Sequence, residues 1–270
     1  MTVTDVAVNG RLFKLAQCEV MRLEDEFGHS YEIDGEPVAG VTTLLSMGVP
    51  PEQGLLEYFK RTDKDSQEDI LLDAQQRGTN VHQAVEDLLN GISVPSAPFT
   101  RKREKLAIEA FVAWFEAMKP TKIMTEQVVA YIKPSPGVDA ATRFAGTLDC
   151  LCTIKGRRLL IDFKTSAVPS MKDKLQVQAY KAAIEQSTKE KIDDCYVLYL
   201  GTSHKGTRPG KHTDGLPTNG PGWSMVYSNL TFDDFMLAYN MALLVNGGEY
   251  PKPPKVIAFP EQWKILEGEK

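Results

Sequence analysis

Two aspartates and a lysine occur in a short segment whose pattern predicts a β-hairpin. Residues 145–165 hold two strand-like runs joined by Lys155 and Gly156, a pair suited to a tight turn. A turn centred on this pair makes residues whose numbers sum to 311 face each other, which puts Asp149 opposite Asp162. Their Cβ atoms would then lie about 4.5–5.5 Å apart, and like charges at that distance repel. Because two ionised carboxylates so close together need a cation or a shared proton, we expect a divalent metal here.

Lys164 adds a cation to the same face of this hairpin. Strand alternation places Asp162 and Lys164 on one face and directs Ile161 and Phe163 to the other. The same register puts Thr147 opposite Lys164. The alternative is that the carboxylates are solvated at the end of an edge strand and that the lysine only neutralises them.

The elements around the hairpin follow from periodicity and from turn residues. A β-hairpin or meander is predicted over residues 6–39, a polar link over 62–66, and a Gly/Pro/Lys/Thr-rich loop over 202–222. Helices are predicted over 42–47, 51–61, 68–89, 102–118, 172–186 and 231–245, with Gly78 as a point where the third could divide, and further strands over 125–132, 194–200 and 223–228. This order predicts a mixed sheet with helices packed on it.

Composition is typical of a globular protein. The chain has 270 residues, of which 42% are hydrophobic and 25% charged. It contains no apolar run of 18 residues, and its N-terminus lacks the basic and apolar regions of a signal peptide. We therefore expect no membrane partner and a cytoplasmic location, with the cytoplasm of a phage-infected host cell as one version of it.

The cysteine spacing argues against a zinc or iron–sulfur site, whereas the net charge does not exclude nucleic-acid binding. Zinc and iron–sulfur sites favour Cys-x-x-Cys pairs, which are absent, so buried free thiols are expected at Cys18, Cys150, Cys152 and Cys195. The net charge of −5 argues weakly against nucleic-acid binding. However, carboxylates that hold metal ions count as acidic in this sum, and basic clusters occur at residues 101–103, 157–158 and 205–211.

Several motifs together resemble one nuclease family. Gly-Thr-Leu-Asp149, followed a dozen residues later by Ile-Asp162-Phe-Lys164-Thr, resembles the PD-(D/E)xK nuclease superfamily. Three further motifs resemble those of its RecB-like branch, which includes phage exonucleases and the mitochondrial genome-maintenance exonuclease. These motifs are Gln176-x-x-x-Tyr180, Arg77-Gly78-Thr79 with His82, and, more loosely, residues 31–43. The resemblance implies a restriction-endonuclease-like α/β core, a central mixed β-sheet flanked by helices. The single nuclease domain would comprise an N-terminal β/helical extension (1–65), the nuclease core (66–247) and a C-terminal tail (248–270).

The resemblance also implies roles for individual residues. Mg²⁺ or Mn²⁺ would be held by the side chains of His82, Asp149 and Asp162 and by the backbone carbonyl of Phe163. Lys164 would orient or deprotonate the attacking water and offset transition-state charge, while Gln176 and Tyr180 would position the water or the phosphate. Glu126 is either a further acid near the metal or a solvated strand residue. Nucleic-acid contacts are expected at Arg77, Thr79, Lys205, Arg208 and Lys211, with surface ion pairs or a solvated loop as the alternatives.

The function implied is a Mg²⁺-dependent DNA exonuclease of phage-type recombination or DNA processing. An endonuclease that uses residues 202–222 for recognition and a non-catalytic nucleic-acid-binding subunit are the alternatives. Retention of Asp149, Asp162 and Lys164 argues against the last, because a binding module could relieve the repulsion with neutral residues. Single- or double-stranded DNA ends are the expected partners, together with a recombinase, a single-strand-binding protein or a helicase, since no P-loop motif is present. No iron–sulfur cluster is predicted, because the downstream cysteines of cluster-bearing RecB-like nucleases are missing.

Overall fold

An antiparallel meander forms the N-terminal part of the structure, as predicted. The computed structural model describes residues 9–15, 17–25, 28–96, 98–133, 142–166, 169–201 and 216–247. Within them the first sheet has the order β1-β2-β3-β4, made of Asn9–Lys14, Glu19–Asp25, Gly28–Ile33 and Glu36–Val38. Asp34 and Gly35 turn the chain between the last two strands with φ of 52° and 81°, which suits their short or absent side chains.

The second sheet is mixed and carries helices on both faces. Its order is β5-β6-β7-β8-β10-β9, with β7 and β8 parallel and the other neighbouring strands antiparallel. The strands are Thr121–Lys133, Thr142–Ile154, Arg157–Lys164, Asp194–Leu200, Asn219–Gly220 and Trp223–Tyr227, numbered β5 to β10. The helices α1 to α6 are Val41–Gly48, Gln53–Lys60, Lys64–Leu89, Lys102–Met118, Met171–Thr188 and Phe232–Val245. The predicted mixed α/β architecture is confirmed.

Helix α3 is longer than its sequence pattern indicated. The predicted polar link over 62–66 is wrong, because α3 already begins at Lys64 and Asp63 caps it by accepting a 2.9 Å hydrogen bond from the Ser66 amide. Gly78 does not divide the helix. A helical glycine costs about 1 kcal/mol relative to alanine. Burial of Val81 and Val85, both at most 1% exposed, outweighs that cost.

The central hairpin has the predicted register, but its ladder stops one pair early. Residue pairs run from Ile154 opposite Arg157 to Cys150 opposite Ile161, around a turn at 155–156 with φ of 50° and 79°. Asp149 does not pair with Asp162 in this ladder; its Oδ2 instead accepts a 2.7 Å hydrogen bond from the Phe163 amide. The expected direct opposition is therefore wrong in detail, because a side-chain oxygen takes the place of the next ladder bond. The predicted pair of Thr147 with Lys164 is likewise absent from this ladder, and Thr147 pairs with Val128 on the other side of β6.

Strand β5 has a local break beside the same aspartate. Its pairing with β6 runs through Thr125–Cys150 and resumes at Gln127–Leu148, so Glu126 and Asp149 are skipped together. Glu126 has a φ of 47°, a left-handed conformation that is uncommon for a residue with a side chain. The register is the same on both sides of the break, so Glu126 and Asp149 face each other across the two strands.

Three apolar clusters hold these layers together. One lies between the mixed sheet and α1, α5 and α6, and a second lies between the sheet and α3 and α4. The third joins the N-terminal sheet to β5 and β6, with Val20, Tyr31 and Ile33 buried against Val128 and Ala145. The N-terminal sheet therefore packs directly on the mixed sheet. The division into 1–65, 66–247 and 248–270 stays a prediction, and its first boundary falls inside α3.

The remaining sequence expectations concern cysteines, membranes and the C-terminal parts. All four cysteines are buried and free, as predicted. Among the described helices, none combines the length and apolar character needed to cross a membrane. Most of the 202–222 loop and the tail from 248 onward lie outside the described residues, although Asn219–Gly220 forms β9.

Candidate active site

A cleft of about 590 Å³ opens where α3, the ends of β6 and β7 and the N-terminal sheet meet. It contains most of the site residues that were predicted from the hairpin and from the family motifs. The predicted residues along it are Thr79, His82, Asp149, Asp162, Lys164, Gln176 and Tyr180, and Glu126 lies among them. One cleft thus collects side chains from five elements, α3, β5, β6, β7 and α5.

Asp162 lies at the buried end of this cleft in an ion pair. Its side chain is 1% exposed, and its Oδ2 lies 2.5 Å from the Lys164 ammonium. Gln176 donates a 3.0 Å hydrogen bond from Nε2 to the other oxygen, Oδ1. Burial raises the pKa of Asp162 to about 7, although Lys164 opposes the rise and Asp149 adds to it. The carboxylate is therefore costly to ionise without a further cation.

Lys164 is held as a charged group. Burial lowers its pKa, but attraction to Asp162, Asp149 and Asp173 is stronger and leaves the pKa raised overall. Its ammonium also donates a 3.2 Å hydrogen bond to Oε1 of Gln176. A protonated lysine in this place can offset negative charge, and it is a poor proton acceptor at neutral pH.

Gln176 and Tyr180 share one face of α5, as the i,i+4 spacing predicted. Nε2 of Gln176 lies 3.0 Å from the Tyr180 hydroxyl as well as from Asp162. Tyr180 reaches the cleft beside Gly146, where a Cβ atom would lie only 2.5 Å from the tyrosine ring. Glycine at 146 is therefore what admits the ring, and the amide of Gln176 links Tyr180 to the ion pair.

His82 reaches Asp149 from α3. Its Nδ1 lies 3.5 Å from Oδ1 of Asp149. Burial lowers the pKa of His82, but attraction to Asp149 outweighs this and raises it to about 9. The reciprocal attraction holds the pKa of Asp149 below its usual value despite burial.

Glu126 belongs to a cluster of potential metal ligands. The sequence left two alternatives for this residue, a further acid near the metal or a solvated strand residue. One potential ligand atom each from His82, Glu126 and Asp149 lies within 4.8 Å of the others. Burial, with repulsion from Asp149 and Glu86, raises the pKa of Glu126 to about 7. The register of β5 with β6 sets Glu126 opposite Asp149, between the pairs Thr125–Cys150 and Gln127–Leu148, and this pairing joins segments with no local signal for it.

The predicted nucleic-acid contacts are only partly in the described structure. Thr79 is exposed at the cleft, whereas Arg77 pairs with Asp73 at 3.2 Å and does not line it. Lys205, Arg208 and Lys211 lie outside the described residues.

The contact between His82 and Asp149 predicts a pH dependence in the metal-free protein. The folded state binds the His82 proton more tightly than the unfolded chain, whose reference pKa is 6.5. This contact therefore stabilises the fold fully below pH 6.5, and the stabilisation is lost as the pH rises through about 9. We expect the unfolding free energy to fall less over this range in His82→Gln than in the parent protein. Urea unfolding in EDTA at several pH values measures this, and parallel profiles for the two proteins would contradict it.

Comparison with known proteins gives a family match and a fold comparison. The family model described as the PD-(D/E)XK nuclease superfamily matches residues 54–235. No curated protein matches the chain. Among solved structures, the one titled "Crystal structure of SSO0001" is 14% identical, with a TM-score of 0.31, over 62% of this chain and 84% of that one.

Proposed function

We propose, from the premise that this chain belongs to the PD-(D/E)XK nuclease superfamily, that it is a divalent-metal-dependent DNA exonuclease. Family membership confirms the predicted resemblance, and the mixed sheet flanked by helices is the predicted restriction-endonuclease-like core. The proposal of a metal-dependent nuclease rests above all on one observation. The cluster of His82, Glu126 and Asp149 lies in the same cleft as the ion pair of Asp162 and Lys164.

The donor set of this cleft fits a hard divalent cation. It offers one imidazole nitrogen and carboxylate oxygens within a few ångströms of one another, which suits Mg²⁺ or Mn²⁺ better than a thiophilic metal. We assign the metal to His82, Asp149 and Asp162 with the Phe163 carbonyl, and add Glu126. A bound ion would acidify a water ligand and withdraw charge from the scissile phosphate.

The protein side chains would orient the reactants around that ion. We propose that Lys164, held protonated by its carboxylate neighbours, offsets the charge that develops on the phosphate. Gln176, bonded to Asp162, Lys164 and Tyr180, would keep these groups in fixed positions relative to one another. Such preorganisation contributes to the rate because little rearrangement is needed when the charge develops.

The shape of the cleft supports action on strand ends. Helix α3 walls it on one side and the N-terminal sheet on the other, and its volume of about 590 Å³ is that of a small-ligand site. A single strand end can enter such a space more easily than an uninterrupted duplex can. The RecB-like motifs support the same proposal, and a role in phage-type recombination or DNA processing agrees with it.

One assay tests the function. The purified chain is incubated with end-labelled single-stranded, linear duplex and closed circular DNA in Mg²⁺, Mn²⁺, Ca²⁺ or EDTA. We expect mononucleotide or short products from linear DNA in Mg²⁺ or Mn²⁺, little hydrolysis in Ca²⁺, whose coordination is looser, and none in EDTA. Cleavage of closed circles would support an endonuclease instead. Binding without cleavage of any substrate would support a non-catalytic subunit, and full activity in EDTA would contradict the metal.

A further inference from the structure

Two arginines of the N-terminal sheet face each other beside the cleft. Arg11 of β1 and Arg22 of β2 are direct partners in the strand register, and both line the cleft. Like charges directly opposite each other in a sheet are destabilising. An anion bound between the two side chains would relieve this repulsion.

The inner face of the N-terminal sheet is divided into an apolar part and a polar part. Val20, Ile33 and Val38 form the apolar part and are buried against β5 and β6. Arg11 and Arg22 lie on the same face but further along the strands, where the sheet extends over the cleft. The polar part is therefore a cleft wall rather than a covering for the core.

Arg22 is fixed in place by neighbours on three sides. It is 19% exposed, and its guanidinium donates a 3.2 Å hydrogen bond to the Thr147 hydroxyl. It also contacts Glu24 at 3.0 Å and Glu126, from the proposed metal cluster, at 3.6 Å. Tyr31 supports the arrangement by sharing a 2.9 Å hydrogen bond with Thr147.

Arg11 differs because its charge is not offset in the same way. It is exposed, and within the described part of the chain no carboxylate forms an ion pair with it. The guanidinium of Arg22 is thus held in a fixed position, and that of Arg11 is available to bind an anion. Both lie in the cleft that holds the carboxylate cluster.

We propose that Arg11 and Arg22 bind the phosphodiester backbone of a DNA strand on the wall of the cleft formed by the N-terminal sheet. This inference rests on the proposed function and extends it, because it assigns the N-terminal sheet to substrate binding. A guanidinium presents donors in a planar fork that matches two phosphate oxygens. A phosphodiester between this wall and a metal held by the carboxylates would be bound from both sides, and the repulsion between the arginines would be relieved.

Fluorescence anisotropy with a labelled single-stranded DNA oligonucleotide in Ca²⁺ tests the proposal. Arg11→Gln should weaken binding about tenfold, the effect of losing one hydrogen bond to a charged group, and reduce the slope of log affinity against log salt by about one. Its thermal stability without DNA should hold or rise, since the cross-strand repulsion is removed. Lys14→Gln is the matched control: Lys14 is on the same strand, carries the same charge, is 76% exposed and pairs with Glu19.

The possible outcomes distinguish the phosphate-binding role of the two arginines from the proposed nuclease function. Equal affinities and salt slopes for Arg11→Gln, Lys14→Gln and the parent protein, with DNA cleavage retained, would overturn the phosphate-binding wall and leave the nuclease proposal standing. Failure of the parent protein to bind or cleave any DNA would overturn both.

Discussion

Asp162→Asn should lose about a thousandfold or more of the DNA cleavage rate while the protein stays folded. The substitution removes a carboxylate that we assign to the metal and that pairs with Lys164 at 2.5 Å. Metal-assisted charge stabilisation supplies several kcal/mol to such reactions, and each 1.36 kcal/mol changes the rate tenfold. Single-turnover cleavage of end-labelled linear DNA in Mg²⁺ measures the loss.

The same substitution should not weaken the metal-free protein above neutral pH. Asp162 has a folded pKa of about 7 against a reference value of 3.8, so the folded state binds its proton more tightly. Its ionisation therefore destabilises the fold increasingly as pH rises from 3.8 through 7, and asparagine removes that penalty. At pH 8 in EDTA we expect an unfolding free energy equal to or above that of the parent.

Asp194→Asn is the matched control for this prediction. Asp194 is another buried carboxylate of the same sheet, paired with Arg157 outside the cleft. The control should keep its cleavage rate per folded molecule. A parent-like rate in Asp162→Asn, or an equal loss in both variants, would exclude the assigned role of Asp162.

Glu126→Gly should raise the stability of the metal-free protein and abolish most of its stabilisation by Mn²⁺. Glycine adopts the φ of 47° at this position without the steric cost of a side chain, which is about 1 kcal/mol or more. For a chain of this size that gain corresponds to roughly 2–4 °C in Tm. Losing a ligand should at the same time reduce the rise in Tm that saturating Mn²⁺ causes, because ligand stabilisation depends on affinity.

Two further variants separate backbone relief from ligand loss. Lys189→Gly relieves a comparable left-handed residue, with φ of 58°, at the end of α5 and away from the cleft. It should gain stability and keep the full Mn²⁺ shift. Glu126→Gln should keep the steric cost of the left-handed backbone and lose much of the rise in Tm that Mn²⁺ causes. Differential scanning fluorimetry in EDTA and in Mn²⁺ covers all three, and an undiminished shift in both Glu126 variants would remove Glu126 from the ligand set.

Local features of this chain were predictable because the interactions that set them are short in sequence. Helix α4 and strand β8 begin and end at the predicted residues, Lys102–Met118 and Asp194–Leu200. Helix α6 begins where it was predicted, with a capping box of Thr231 and Asp234 at its start. The turn at 155–156 sets the hairpin register in the same way.

Predictions from local sequence patterns were wrong where a side-chain hydrogen bond competed with the pattern. The polar run around Asp63 predicted a link, but the side chain of Asp63 caps α3 and the helix starts within the run. The hairpin register predicted a pair between Asp149 and Asp162, but the amide of Phe163 bonds to the Asp149 side chain instead. In both places one side-chain hydrogen bond decided the outcome.

The sequence by itself determined the chemistry that the cleft can hold: Asp149, Asp162 and Lys164 on one hairpin, and Gln176 and Tyr180 on one helix face. Each of these relations spans few residues, so strand alternation, turn type and helix periodicity are enough to predict it. Only the tertiary structure brought Glu126 to the cluster and placed the arginines of the N-terminal sheet in the cleft wall. Both depend on contacts between segments far apart in the chain, in the β5–β6 pairing and in the packing of β1–β4 over it, where burial of apolar surface rather than local residue pattern selects the arrangement.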